Sequence, residues 1–170
     1  MIRPYLQYRP VIDPSCFVAD DADVIGQAQL GADSSVFFKT VIRADINTII
    51  IGSGSNIQDQ CTVHVASDRG VLIGNQVSIG HQCIIHACEL KDNILVGMGS
   101  ILMDGVVVGR DCIIGAGSLL VKEKSFPEGH LILGNPAKVI RPLTEAEILS
   151  IGNLARKYIG VKNNYLLPNV

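Results

Sequence analysis

An aliphatic side chain recurs every six positions along most of this 170-residue chain. One run is Val18, Val24, Leu30, Val36 and Ile42. A second is Ile51, Ile57 and Val63, and a third is Ile73, Ile79 and Ile85. The longest passes from Leu90 through Val96, Leu102, Val108 and Ile114 to Leu120. Glycine often follows, as at Gly52, Gly74 and Gly97, and four positions on the side chain is small, as at Thr40, Cys61, Cys83 and Ser100. A period of six fits neither a helix at 3.6 nor a simple strand at 2. It fits a three-sided prism in which each hexapeptide lays down one short strand, points its aliphatic residue inward and turns a corner. Three hexapeptides then close a coil of about 18 residues, and successive coils stack as parallel strands about 4.7–4.9 Å apart. The predicted fold class is all-β, a parallel β-helix of hexapeptide repeats over roughly residues 11 to 133.

The pattern stops at FPEGHLILGNPAKVIRPL, residues 126–143, which reads as an exit loop. Thr144-x-x-Glu147 is a capping box, and a helix is predicted from 145 to about 159 with Ile148, Ile151, Ala155 and Tyr158 on one stripe. The division is residues 1–143 for the β-helix with its lead-in and exit loop, and 144–170 for the helix and tail.

Composition narrows the functional classes. A net charge of -2 offers no basic surface for nucleic acid or anionic lipid. No apolar run approaches membrane-spanning length, and MIRPYLQYRPVIDP lacks the apolar stretch of a signal peptide, so a cytoplasmic protein is expected. Five cysteines match no disulfide or CxxC spacing. Cys61, Cys83 and Cys112 fall in the small interior column and read as packing residues; nothing near Cys16 or Cys88 suggests catalysis.

The repeat gives the histidines addresses. His64 follows inward Val63, and His86 follows inward Ile85. Their separation of 22 is one coil plus four residues, and the extra residues fall in VASDRGVL, where the period breaks. The two imidazoles should stack one rung apart, close enough to share an ion at about 2.0–2.1 Å each. His81 lies in the preceding hexapeptide, around a corner, and cannot reach that ion within its own chain. A cyclic homotrimer answers this, with His64 and His86 from one subunit and His81 from its neighbour. Arg43 stands 21 residues before His64 and joins the same column. Asp45, Gln58 and Asp59 lie on the same rungs. For Arg43 and Asp45, an ion-pair network between subunits is as good a reading as direct catalysis. His130, in a Gly/Pro loop, is not read as a ligand.

These residues carry a resemblance. VIRAD (41–45), NIQDQCTVH (56–64), IGHQCIIH (79–86) and GNPAKVIR (134–141) resemble the γ-class carbonic anhydrases and their bacterial homologues. The resemblance implies a left-handed coil, an exception to the usual right-handed crossover. It also implies a homotrimer with Zn²⁺ at each interface, with Fe²⁺ or Co²⁺ as alternatives, held by His64, His81 and His86. Gln58 matches a residue that bonds the metal-bound water. Arg43 and Asp59 match a pair acting across the interface and near the site, with Asp45 an acidic neighbour. Tyr158 matches a helix tyrosine turned towards the site. The implied reaction is reversible hydration of CO₂ to bicarbonate by a metal-bound hydroxide, with a small-molecule substrate and no nucleic-acid or membrane partner. The family archetype has a long acidic loop after the first ligand; here Asp68 is the only acid of that loop, so weak proton export is expected. Competing readings are a metal-dependent thioesterase or hexapeptide acyltransferase acting on CoA esters, and a non-catalytic scaffold.

Overall fold

The computed structural model describes residues 1–167. The period-six pattern folds as an all-β parallel solenoid of about 7 turns with one C-terminal helix, a left-handed β-helix of hexapeptide repeats. Three faces run its length. The first carries the start of Val41–Ile51, then Thr62–His64, Ile84–His86, Ile101–Leu102 and Leu119–Leu120 in parallel register. The second carries the end of Val41–Ile51, then Val71–Ile73, Glu89–Leu90, Val107–Val108 and Ser125–Phe126. The third stacks Phe17–Val18, Ser35–Val36, Asn56–Ile57, Ser78–Ile79, Leu95–Val96 and Ile113–Ile114. Inward residues such as Ile42, Val63, Ile85 and Leu102 are buried in one continuous core.

The coils stack closely because the position after the aliphatic residue often has no side chain. A Cβ on Gly97 would lie 2.4 Å from the Ala116 amide nitrogen of the next coil. Several corners are turned by residues in the left-handed region; Gln60 (φ 61°) and Gln82 (φ 60°) follow Asp59 and His81 directly. These two amides also stack, with Gln82 Nε2 donating to Gln60 Oε1 at 2.9 Å.

Two interruptions fall where the period breaks. Ala28 pairs with Ile49 while Gly26 pairs with Ala44, so three extra residues leave the ladder after Ala44. Four more leave it between Val65 and Val71, where Ala66 and Arg69 bond each other's backbone. Asn47 Nδ2 donates to the Ala66 carbonyl at 3.3 Å, and Arg69 donates to Glu123 Oε1 at 2.8 Å.

Three expectations change. The exit segment is largely ordered as an antiparallel pair, His130–Gly134 with Ala137–Pro142, which closes the last rung of the third face. The short aliphatic runs Leu131–Leu133 and Val139–Ile140 sit among prolines and glycines, which made this segment read as a loop. The helix runs Glu145–Leu166, past the predicted end near 159. Gly160 does not stop it, because Lys162 beyond that point is buried against the first coil. Its Nζ donates to the Ser15 carbonyl at 2.8 Å and pairs with Asp33 at 2.8 Å. Tyr165 stacks on Phe17 at 4.9 Å between centroids. Cys88, left unplaced by the repeat, is buried inside the prism, and burial pushes its thiol up to about 12. All five cysteines are free.

The capping box is present: Glu147 N donates to Thr144 Oγ1 at 3.3 Å, and Thr144 N donates to Glu147 Oε2 at 2.9 Å. Thr144→Ala should therefore cost about 1 kcal/mol, read as a lower Tm in thermal unfolding; an unchanged Tm would show that packing alone sets the helix start. No helix among the described residues is long and apolar enough to cross a membrane.

Candidate functional site

The register places Arg43, His64 and His86 in one column: His64 pairs with Arg43 on one side and with His86 on the other. The column lies at the corner between the first and second faces. His64 Nδ1 and His86 Nε2 approach to 3.2 Å, with ring centroids 5.2 Å apart. Each outer nitrogen meets a carboxylate. His64 Nε2 lies 3.2 Å from Asp45 Oδ1, and His86 Nδ1 lies 2.6 Å from Asp104 Oδ1. Asp45 can turn back onto His64 because the three-residue bulge begins there and frees it from the ladder.

Burial pushes the Asp45 carboxyl up, but hydrogen bonds from Arg43 and His64 outweigh it and hold it below the usual carboxylate range. Asp104 follows the same logic: burial opposes, and bonds from His86 and Lys122 prevail. Both carboxylates are therefore ionised near neutral pH and only accept hydrogen bonds. Burial, with Arg43 helping and Asp45 opposing, holds the His64 imidazole below its ordinary value and favours its neutral form. A proton held on each outer nitrogen by its aspartate leaves the two inner nitrogens, 3.2 Å apart, free to act as ligands. Two nitrogens at 2.0–2.1 Å on a tetrahedral ion stand about 3.3 Å apart, so the donor set fits a divalent metal, with carboxylates behind each ligand as metal histidines require.

His81 lies elsewhere, at the corner that precedes the first face. Its Nδ1 pairs with Asp59 Oδ2 at 2.7 Å and its side chain is 43% exposed. Among the described residues no three His, Cys, Asp or Glu side chains of the chain are arranged to hold one ion. Between the two histidine corners, the outward side of the first face carries a ladder of Val41, Thr62, Ile84, Ile101 and Leu119. Ile84 and Ile101 are exposed there.

Gln58 is 5% exposed at the edge of the third face, and its Nε2 donates to Asn56 Oδ1 at 3.2 Å. Asn56 in turn donates to Ser78 Oγ at 2.8 Å. Tyr158 projects from the helix beside Gln58 and His81. Burial and then the Asp59 charge raise its phenol above the ordinary value. Arg43 pairs with Asp45 of its own chain. His130 Nδ1 lies 2.6 Å from the Glu128 carbonyl, far from this column in the chain's path.

Reading the sequence missed Asp104, Lys122 and Asn56. The signal was partial: Lys122 stands one 18-residue coil after Asp104, but the coil after His86 has 17 residues, so Asp104 lies one position past the one level with His86. Their contact, Lys122 Nζ to Asp104 Oδ2 at 3.2 Å, extends the column. Asn56 offers no such spacing, because it acts through the amide of Gln58 two residues away.

A stacked coil of hexapeptides with this corner geometry defines a hexapeptide-repeat protein, and the family pattern described as "Bacterial transferase hexapeptide (six repeats)" matches residues 87–122. The chain is 40% identical over 159 residues to "Carbonic anhydrase" of Geobacillus kaustophilus, covering 94% of this chain and 87% of that one. It is 44% identical over 166 residues to "Gamma carbonic anhydrase 2, mitochondrial" of Arabidopsis thaliana, covering 94% of this chain and 60% of that one. Among solved structures, a hexapeptide transferase family protein from Anaplasma phagocytophilum superposes with a TM-score of 0.93 at 41% identity, over 96% and 97% of the two chains. The chain belongs to the γ-class carbonic anhydrase family. It spans about 60% of the length of the Arabidopsis relatives.

Proposed function

We propose that the protein is a metal-dependent enzyme that hydrates CO₂ reversibly to bicarbonate at the subunit interfaces of a homotrimer. One observation carries this: His64 Nδ1 and His86 Nε2 lie 3.2 Å apart, and the other nitrogen of each ring lies against an aspartate. Two ligands leave a catalytic metal one protein ligand short. His81 supplies it from a neighbouring subunit, since it stands at the opposite edge of the same apolar face. Packing three such faces around an axis covers Val41, Ile84, Ile101 and Leu119 and brings each His81 to the next subunit's His64 and His86. The names of the relatives point to the same chemistry.

A divalent cation held by His64, His81 and His86 would supply the Lewis acidity that makes water nucleophilic near neutral pH. The chain's residues do the rest. Asp45, Asp59 and Asp104 fix the tautomer and aim of the three imidazoles. Arg43 keeps Asp45 ionised. Gln58, its amide nitrogen engaged by Asn56, presents Oε1 to orient the attacking water. Hydration also releases a proton, which must leave. The loop beside the site is short, and its Arg69 is tied to Glu123, so Asp68 is its one acid and export is slow.

The test is metal content with turnover. Wild-type protein should carry about one divalent metal per chain, and His81→Ala well under half of that. Unchanged metal in the mutant would refute the interface site. Stopped-flow CO₂ hydration with Zn²⁺, then with Fe²⁺ under anaerobic conditions, should show a metal-dependent rate that rises with buffer concentration. The absence of any metal-dependent rate would remove CO₂ as the substrate.

A further inference from the structure

We infer that the N-terminal end of the solenoid is a docking surface for the same end of a second copy, so that two trimers join end to end across a two-fold axis. This rests on the trimer proposed above and uses no residue of the metal site. The two ends of the prism are built differently. At the far end the last inward residues of the three faces, Leu120, Phe126 and Ile132, are all buried, and the most accessible, Phe126, is 8% exposed. At the near end the first inward residues are Ile2, Ile12 and Val18, which stack on Val24, Leu30 and Val36 of the next coil. No further coil lies over them among the described residues: Ile2 is 57% exposed, and Ile12 and Val18 are partly exposed. The terminal repeats of a solenoid need a polar outer face to stay soluble, and the outer face here is apolar.

The surroundings of this end are apolar as well. The turn from Tyr5 to Tyr8 is closed by backbone bonds between those two residues. Its tip is Leu6, in the left-handed region (φ 52°) and 76% exposed. A leucine held in that conformation and facing water is an uncommon arrangement. The C-terminal helix ends beside the same coil, with Leu166 and Leu167 exposed. Ile2, Tyr5, Leu6 and Tyr8 alone offer on the order of 400 Å² of apolar surface per subunit. A three-fold axis along the solenoid gathers three such patches on one end, more than the ~800 Å² a side of a standard interface. Charge selects the occupant. Arg3 is paired with Asp23, and Lys39 with Asp21, within the chain. Arg9 and Asp20 are exposed. Arg9 lies in the lead-in at the corner between the first and second faces, and Asp20 at the corner before the first face. A two-fold axis across the end exchanges those corners and sets Arg9 of one copy against Asp20 of the other, six times in a dimer of trimers. Pro4, Pro10 and Pro14 interrupt the outer edge of the lead-in, so the join is made by side chains rather than by a continued ladder. An identical end supplies both apolar surface and opposite charge, whereas a neutral lipid surface supplies only the first.

Sedimentation velocity of the purified full chain over a wide concentration range tests this. Wild type should pass from trimer to hexamer as concentration rises. Ile2→Asp and Leu6→Asn should each move the midpoint up by roughly tenfold or more, with trimer mass and circular dichroism unchanged. Asparagine tolerates the left-handed region, so Leu6→Asn keeps the turn. Arg9→Glu and Asp20→Arg should each weaken the hexamer, and the double variant, its charges exchanged, should bring the midpoint back towards wild type. Rescue by two changes in one chain requires that the partner be the same end of an identical copy. A trimer that never doubles, a hexamer unmoved by all four single variants, or a double variant no better than the singles overturns the inference. So does Leu6-dependent attachment of trimers to neutral phosphatidylcholine vesicles without any hexamer, which assigns the end to lipid. Metal-loaded trimers without hexamers remove the end contact alone and leave the metal site standing. A chain that is monomeric throughout removes the trimer and the end contact together.

Discussion

If the protein is the proposed trimer, co-assembly of His81→Ala subunits with subunits carrying His64→Ala and His86→Ala should restore metal binding that is largely lost in each variant alone. In a cyclic trimer each site takes two histidines from one subunit and one from the next. A mixed trimer always contains one junction where an intact His64/His86 pair meets an intact His81, whichever variant is in the majority. After random mixing of equal amounts, about one site in four is rebuilt. The geometry makes this sharp, because His81 sits on Asp59 at one edge of the first face and the His64/His86 pair at the other. Mixing should be done by unfolding and refolding together, with metal counted per chain after size exclusion. If the mixture binds no more than the separate variants, the three histidines do not meet across subunits. If either variant alone keeps full metal, the ligand set is wrong.

Lys162→Ala should detach the end of the helix and lower Tm by roughly 4–10 °C, using the scale for a chain of this size. Lys162 is 2% exposed, and its ammonium group is held by the Ser15 carbonyl, Asn163 and Asp33. Truncation leaves that carbonyl without its donor and a void where the lysine stem packed, at a cost of about 2–3 kcal/mol. Asp33 is half exposed, and solvent screening keeps its share of that cost small. Lys162→Met preserves the stem and should recover more than half of the loss. Both are read by circular dichroism at fixed protein concentration and metal load, since assembly contributes to Tm. Hydrogen exchange should accelerate in the segment 159–166, with the middle coils unchanged. A wild-type Tm for Lys162→Ala would mean that the Tyr165–Phe17 stack alone holds the helix end.

Much of the site was legible from spacing. A period of six gives each residue a rung and a corner, so His64, His86 and Arg43 were placed in one column from residue counts, and the pairings agree. The same arithmetic falls one residue short of Asp104, because the coil after His86 has 17 residues rather than 18. It fails for Asp45, whose contact depends on how a three-residue bulge leaves the ladder, and for Asn56, which works through a neighbour's amide. The helix was expected to end near 159, just before Gly160, whereas burial of Lys162 against the first coil continues it to Leu166.

By itself the sequence determined the coil. Inward aliphatics at every sixth position can be buried together only in a three-sided stack, and that stack fixes the register of everything attached to it. Only the tertiary structure decided which nitrogen of each imidazole faces its partner, which carboxylate stands behind it, and how the helix closes over the third face. Those depend on side-chain directions and on contacts between residues far apart in the chain, such as Lys162 with Ser15, and no repeat period encodes them.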